Sequence, residues 1–171
     1  EAAKKNEGSS RYDIEFDLVV GNPPYGDVQG DTEKIFTDGF KTGNINDVVG
    51  PFIERQSQIL KNGGYFGNIV ALLFAYQNSA SSIRNVMRNN LAETKVACFT
   101  RRPSQVFAGS QARTGIITAK KTEDGDEQAV ETSKFLRFTE DNRREVFNNI
   151  EYESTEGLIL GDKINDGKDK S

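Results

Sequence analysis

The residues of this 171-residue chain whose types could carry chemistry stand together at Asn22-Pro23-Pro24-Tyr25. They directly follow a β-branched run, Phe16–Gly21. The two prolines stop that run, since proline has no N–H to give a sheet ladder. A turn that merely closes a strand needs neither both prolines nor the tyrosine. The set instead suits the activation of an exocyclic amine. The Asn22 side-chain oxygen accepts one N–H of such an amine and the Pro23 carbonyl accepts the other. Two acceptors draw the nitrogen towards tetrahedral geometry and aim its lone pair outward, as methylation of an amine conjugated to a ring requires. The prolines hold the acceptors in advance of the reaction, and Tyr25 offers a flat face on which a base lifted from a duplex can stack. This scheme calls for no metal and no titrating base, and the chain contains no histidine.

Around this loop the pattern predicts the elements that must hold it. Phe16–Gly21 reads as a buried strand, bounded by Gly, Asn and Pro. Residues Asp27–Asn46 read as a loop with one helical turn near Glu33–Phe36. Pro51 suits the first turn of a helix, and Phe52, Ile53, Gln56, Ile59 and Leu60 recur at helical spacing as far as Lys61. Asn62-Gly63-Gly64 then reads as a helix stop, followed by a strand over Tyr65–Ala71. A second helix spans Ser79–Asn90, with Ile83, Val86, Met87 and Leu91 on one face and Arg84 and Arg88 on another. Strands over Thr94–Thr100 and Thr114–Ala119 follow, separated by the long loop Arg101–Arg113. This alternation is that of an α/β fold, a parallel sheet with crossover helices and a last strand that could run antiparallel. Beyond Lys121 the pattern weakens: an acidic loop over Thr122–Val130, a strand over Ser133–Phe138, and a helix over Thr139–Asn149 opened by a Thr cap, with Phe147 and Ile150 docking on the body.

Composition bounds the reading. Hydrophobic content of 35% with a mean hydropathy of -0.62 fits one polar globular domain with its apolar residues concentrated between Phe16 and Ile117. No run approaches the roughly eighteen apolar residues of a membrane span, and nothing resembles a secretory leader. The single cysteine, Cys98, has no internal disulfide partner, so a reducing, cytoplasmic location is the default. The net charge of -4 hides a basic middle. Between Ser81 and Lys121 stand eight basic residues (Arg84, Arg88, Lys95, Arg101, Arg102, Arg113, Lys120 and Lys121) against one acid, Glu93, whereas 122–171 is acidic. A phosphate-facing patch and ordinary solvated arginines both fit that distribution. The chain begins at Glu1 and its only methionine is Met87, which reads as a domain cut from something longer.

Phe16-Asp17-Leu18-Val19-Val20-Gly21-Asn22-Pro23-Pro24-Tyr25-Gly26 resembles the fourth motif of the S-adenosylmethionine-dependent amino-group DNA methyltransferases, especially those of restriction–modification systems. Phe52-Ile53-Glu54-Arg55 and Ile59 to Tyr65 are similar to the helix and glycine turn leading into that family's fifth strand. Val106-Phe107-Ala108-Gly109 with Arg113-Thr114-Gly115-Ile116-Ile117 looks like its eighth motif. Phe135–Phe138 and Arg143–Phe147 are similar to the segment after that motif in one large restriction–modification subgroup. The resemblance spans roughly residues 14–150, and only its first motif is specific alone. It implies adenine-N6 methylation of double-stranded DNA, with Asn22, Pro23 and Tyr25 as catalytic residues and Pro24, Phe107 and Arg113 as substrate contacts, Phe107 helping to hold the flipped base. Arg101 and Arg102 are further candidates for phosphate contact. One departure is Ala71, where family members often carry proline.

The resemblance also marks what is missing. Such enzymes hold S-adenosylmethionine on a glycine-rich turn after the first strand, with an acid near 20 residues later. Gly21, Gly63-Gly64 and Gly109 each sit in the wrong context. The expected architecture is therefore the carboxyl half of a Rossmann-like methyltransferase sheet, strands four to seven with the last antiparallel. Residues 1–121 form the catalytic half, and 122–171 an acidic extension leading towards a recognition domain outside the chain. The donor-binding half is expected outside it as well. Two alternatives stay open: a methyltransferase acting on a protein glutamine or a ribosomal RNA amine, which use similar loops, and a non-catalytic fragment that binds DNA or a partner.

Overall fold

The computed structural model describes residues 14–26, 30, 37–43, 47–75, 77–107, 112–122 and 129–155. In chain order the elements are β1 (Phe16–Gly21), α1 (Val49–Gln58), β2 (Leu60–Ala71), α2 (Ser81–Asn90), β3 (Leu91–Phe99), β4 (Thr114–Lys121), β5 (Val130–Thr132), α3 (Arg143–Asn148) and β6 (Glu153–Ser154). Short 3-10 turns, Leu72–Ala75 and Asn78–Ala80, join β2 to α2.

The strands form one sheet in the order β1-β2-β4-β3-β5-β6. β1 and β2 are parallel across the α1 crossover. β4 runs antiparallel between β2 and β3, pairing Tyr65↔Lys120 through Ala71↔Thr114 on one side and Leu91↔Lys121 through Phe99↔Thr114 on the other. β2 and β3 therefore point the same way, joined by α2; the expected α/β grammar, with β4 as the antiparallel strand, is what the chain adopts, and the short β5 and β6 extend the sheet beyond β3.

Side-chain alternation gives the sheet two faces. On one, Phe66, Val70, Val96, Cys98, Ile117 and Ala119 pack against Ile53 of α1 and Ile83 and Met87 of α2 in the main core. On the other, Ala97 and Phe99 meet Val106 and Phe138, flanked by Phe147, Ile150 and Tyr152. The Phe147 ring stacks on Phe99 at 4.7 Å and meets Phe138 edge-on at 5.4 Å, so Phe147 and Ile150 dock as expected. Backbone bonds seal this segment to the sheet: Leu136 N–H donates to Cys98 O at 2.8 Å and Thr100 N–H to Leu136 O at 3.0 Å.

Several sequence expectations are corrected. β1 is not buried: it is the outermost strand, and Phe16, Leu18 and Val20 are 46%, 59% and 68% exposed. Only Val19 packs on the main core. A β-branched run alone does not say whether a neighbour covers it. α1 ends at Gln58 rather than Lys61, because the Phe16 N–H takes the Ile59 carbonyl at 2.9 Å and draws Leu60 into the sheet. Asn62-Gly63-Gly64 is thus an irregularity within β2, not a helix cap. There the β1 pairing jumps from Phe16↔Leu60 to Leu18↔Tyr65, and Gly63 adopts a φ of 72°, a conformation that glycine takes without strain. Leu91 opens β3 instead of extending α2. Arg84 is 3% exposed rather than on a solvent face. Thr139 caps no helix; α3 starts at Arg143, and the Thr139 N–H donates to Asn142 Oδ1 at 2.7 Å in the turn before it. Within Ser133–Phe138 only Leu136 makes a bridge, to Phe99. The turn placed at Glu33–Phe36 lies outside the described residues. No described helix is long and apolar enough to cross a membrane.

Two consequences can be measured. Phe99→Ala, which empties the centre of the second core, should lower unfolding free energy by about 3–5 kcal/mol in chemical denaturation. The exposed apolar row on β1, beside an edge with no neighbour among the described residues, should make the purified chain self-associate. Light scattering should show larger species that Leu18→Lys with Val20→Lys shifts towards monomer; a strictly monomeric parent chain contradicts this.

Candidate active site

The Asn22–Tyr25 loop leaves β1 at the carboxyl end of the parallel strands, where open α/β sheets bind ligands. Three contacts fix it. Gly21, its entry point, lies against a pair of side-chain amides: an added Cβ would stand 2.6 Å from Gln56 Nε2 and 2.8 Å from Asn68 Oδ1. At its exit, the Gly26 carbonyl accepts the Val48 N–H at 3.3 Å, at the start of α1. Between them the Tyr25 hydroxyl donates to the Ile69 carbonyl of β2 at 3.2 Å. Pro23 is buried, whereas Asn22, Pro24 and Tyr25 are exposed. Partial burial raises the Tyr25 phenol pKa above its ordinary value, so it stays a neutral hydrogen-bond donor. The loop thus presents an amide and an aromatic ring on a backbone held at both ends.

The same end of the sheet gathers the other candidates. β2 passes at Ala71 into the Leu72–Ala75 turn, where proline was the expected family residue. The Leu72 N–H donates to the Arg113 carbonyl at 2.8 Å, which ties this turn to the start of β4. The exposed Arg113 guanidinium lies 5.4 Å over the Phe135 ring. Arg101 and Arg102 are exposed just past β3. Phe107 is placed differently: it packs on the second core with Phe99 and Phe138, across β4 from the strand that anchors Tyr25.

The basic middle of the chain is largely committed to internal contacts. Lys95 pairs with Glu131 at 3.0 Å and Lys120 with Glu93 at 3.9 Å. Lys121 donates to the Ser57 carbonyl. Arg84 turns inward and donates to the carbonyls of Phe74 and Gln77, both at 2.8 Å, so it pins the turn after β2. Burial lowers the pKa of its guanidinium. At the loop end of the sheet Arg101, Arg102 and Arg113 are exposed. Cys98 is no candidate nucleophile, since burial pushes its thiol up to about 11.

Sequence reading missed four residues that shape this end: Gln56, Asn68, Arg84 and Glu54. The buried Glu54 carboxylate accepts the Lys41 N–H at 3.1 Å and the Thr42 N–H and hydroxyl at 3.0 Å each, which holds the 37–43 segment on α1. One signal for the amide pair was present. A glycine closing a β-branched strand marks a place where something approaches the backbone closely.

Comparison with known proteins places this geometry. A protein of Methanocaldococcus jannaschii assigned as a type II restriction enzyme and methyltransferase is 32% identical over 106 residues, which cover 62% of this chain and 9% of that protein. The type ISP restriction–modification enzyme LlaGI, a nuclease-deletion mutant solved with a DNA substrate mimic, superposes with a TM-score of 0.63 at 15% identity, over 86% of this chain and 18% of that one. A Listeria monocytogenes protein assigned as a class I S-adenosylmethionine-dependent methyltransferase gives 0.54 at 17% identity, over 72% and 36%. The fold is therefore the Rossmann-like methyltransferase sheet, and the chain spans a small part of the length of these proteins. The family model for the Eco57I restriction-modification methylase matches residues 2–107, and the chain belongs to that family.

Proposed function

We propose that the complete enzyme methylates adenine N6 in double-stranded DNA as part of a restriction–modification system, and that this chain holds the flipped base. The observation that carries the reading is the Asn22–Tyr25 loop, intact and tethered at both ends on the carboxyl edge of the sheet. In this reading the Asn22 side-chain oxygen and the Pro23 carbonyl accept the two amine hydrogens and turn the nitrogen lone pair outward. The Tyr25 ring stacks on the extruded base, its hydroxyl tied to Ile69 so that the ring keeps one orientation. Pro24 shapes the loop surface. Arg113, with Arg101 and Arg102, faces the phosphates beside the flipped nucleotide. Phe107 joins the base only by leaving the second core, where it now packs.

S-adenosylmethionine, which supplies the methyl group in this fold, finds no cradle among the described residues. Among the described residues the strand ends lead into Asn22-Pro23, Leu72–Ala75 and Arg101-Arg102, none of them a glycine turn opening a helix. The donor is carried outside this chain, on a unit that meets the uncovered side of β1 and its exposed Phe16, Leu18 and Val20. The recognition domain that reads the DNA sequence also lies outside it.

Two measurements test this. Titration calorimetry on the 171-residue chain should show no S-adenosylmethionine binding in the micromolar range; micromolar binding contradicts a donor site elsewhere. In the complete enzyme, Asn22→Ala should lower single-turnover methyl transfer to plasmid DNA by roughly 100- to 1,000-fold, with N6-methyladenine as the wild-type product by nucleoside mass spectrometry. Transfer to ribosomal RNA or to a release-factor glutamine instead, under the same conditions, overturns the choice of substrate.

A further inference from the structure

We propose that the paired side-chain amides of Gln56 and Asn68 are the positioning device of the Asn22 acceptor: they form the floor on which Gly21 is seated and so set where Asn22 leaves the sheet. The inference rests on the amine-clamping reading above and names what holds that clamp in register.

Asn68 is 2% exposed, on the inward face of β2 between Phe66 and Val70. An amide among such neighbours is costly unless it is hydrogen-bonded. Gln56 of α1 satisfies it reciprocally, its Nε2 donating to Asn68 Oδ1 at 3.3 Å and its Oε1 accepting from Asn68 Nδ2 at 2.5 Å. Asn68 is also the register partner of Gly21 on β1. The pair fills the space any side chain at residue 21 would take, at 2.6 and 2.8 Å from an added Cβ.

A pair of apolar side chains could fill the same volume, but it would slide. Two amides that satisfy each other do so in one relative placement of helix and strand. That placement matters because the loop rides on both. Its entrance rests on the amide pair, its exit is bonded to Val48 at the start of α1, and Tyr25 hangs from Ile69, next to Asn68 on β2. A shift of α1 along β2 therefore moves the exit of the loop, and the Gln56 half of the seat under its entrance, relative to the Tyr25 anchor. A displacement near 1 Å at a reacting group costs about 100-fold in rate.

The test uses the complete enzyme, with single-turnover methyl transfer at saturating donor and DNA, DNA affinity and melting temperature measured on each variant. Gln56→Met, which keeps length but cannot pair, and Gly21→Ala, whose Cβ forces the paired amides to shift, should each slow transfer by roughly 10- to 100-fold. DNA affinity should stay within about twofold, the split that marks lost alignment rather than lost binding. Adding Gln56→Ala to Gly21→Ala should cost no more than about twofold beyond the slower single change, because both act on one seat, a non-additivity that independent losses of stability do not produce. If Gln56→Met fails to fold, the Gly21→Ala and double-variant comparison decides the matter alone. Rates within about twofold of wild type in Gln56→Met and Gly21→Ala, or a double variant slowed by the product of the two single effects, overturn the proposal. Asn22→Ala run alongside separates the two levels: if it transfers at the wild-type rate, the clamp reading itself has failed.

Discussion

Everything in this molecule hangs on β4, the strand that runs against its neighbours. A parallel pair built from β2 and β3 would leave each with one edge to satisfy. β4 supplies hydrogen bonds to both at once, from Thr114 to Lys121. Its direction also decides what meets what. Because it starts where β2 and β3 end, Arg113 arrives beside Leu72 and Thr114 lies opposite Phe99, so the residues after β2, after β3 and before β4 converge on one rim. The loop after β1 opens onto that same rim. The site is thus a product of strand polarity before any side chain is considered.

The two faces of the sheet are completed in different ways. Two crossover helices cover one face along most of its length. The other is covered over β3 and β4 by residues 133–152, through Phe99, Phe138 and Phe147. Over β1 and the start of β2 it is bare, with Leu18, Val20 and Tyr65 outward. Such a row on a strand with no further neighbour among the described residues carries both an exposed hydrophobic face and an open backbone edge. The edge faces away from β4 in the plane of the sheet and the bare row stands on one face of it, and both lie beside the entry to the Asn22–Tyr25 loop. Whatever covers β1 must therefore sit beside the loop, which makes the bare strand and the one-sided site two aspects of a single geometry.

How much of this was legible in the sequence depends on the kind of signal. The loop was legible because two prolines between an asparagine and a tyrosine form a rare set with a chemical use. β1 to β4 were legible from runs of Val, Ile and Phe, and the antiparallel course of β4 from the loop before it, which has no helical pattern; the short β5 and β6 were not. The end of α1 was not, since Leu60 satisfies a helical period and a strand equally, and only the pairing of Phe16 with Ile59 decides between them. The exposure of β1 was invisible because β-branching reports a fit to a pleated surface, not the presence of a neighbour. The role of the basic middle of the chain stayed open for a related reason. Charge counted along a sequence does not reveal that Arg84 turns inward to two carbonyls, or that Lys95 and Lys120 are each matched by a glutamate.

The polar residues inside this structure have a pattern of their own. Arg84 holds the turn after β2, Glu54 holds the 37–43 segment beyond the Asn22–Tyr25 loop, and Gln56 with Asn68 lies under the loop itself. Apolar packing would fill these places at less desolvation cost. What it would not do is select one arrangement among many of nearly equal energy. Hydrogen bonds with a fixed partner and direction do select one, and here they occur where a segment must leave the sheet at a defined angle. The interior gives up some stability at those points and gains a rim whose backbone acceptors stay where they are before any substrate arrives. For the reaction proposed above, in which an amine is aligned between two acceptors, that fixity of the backbone would be the chain's main contribution.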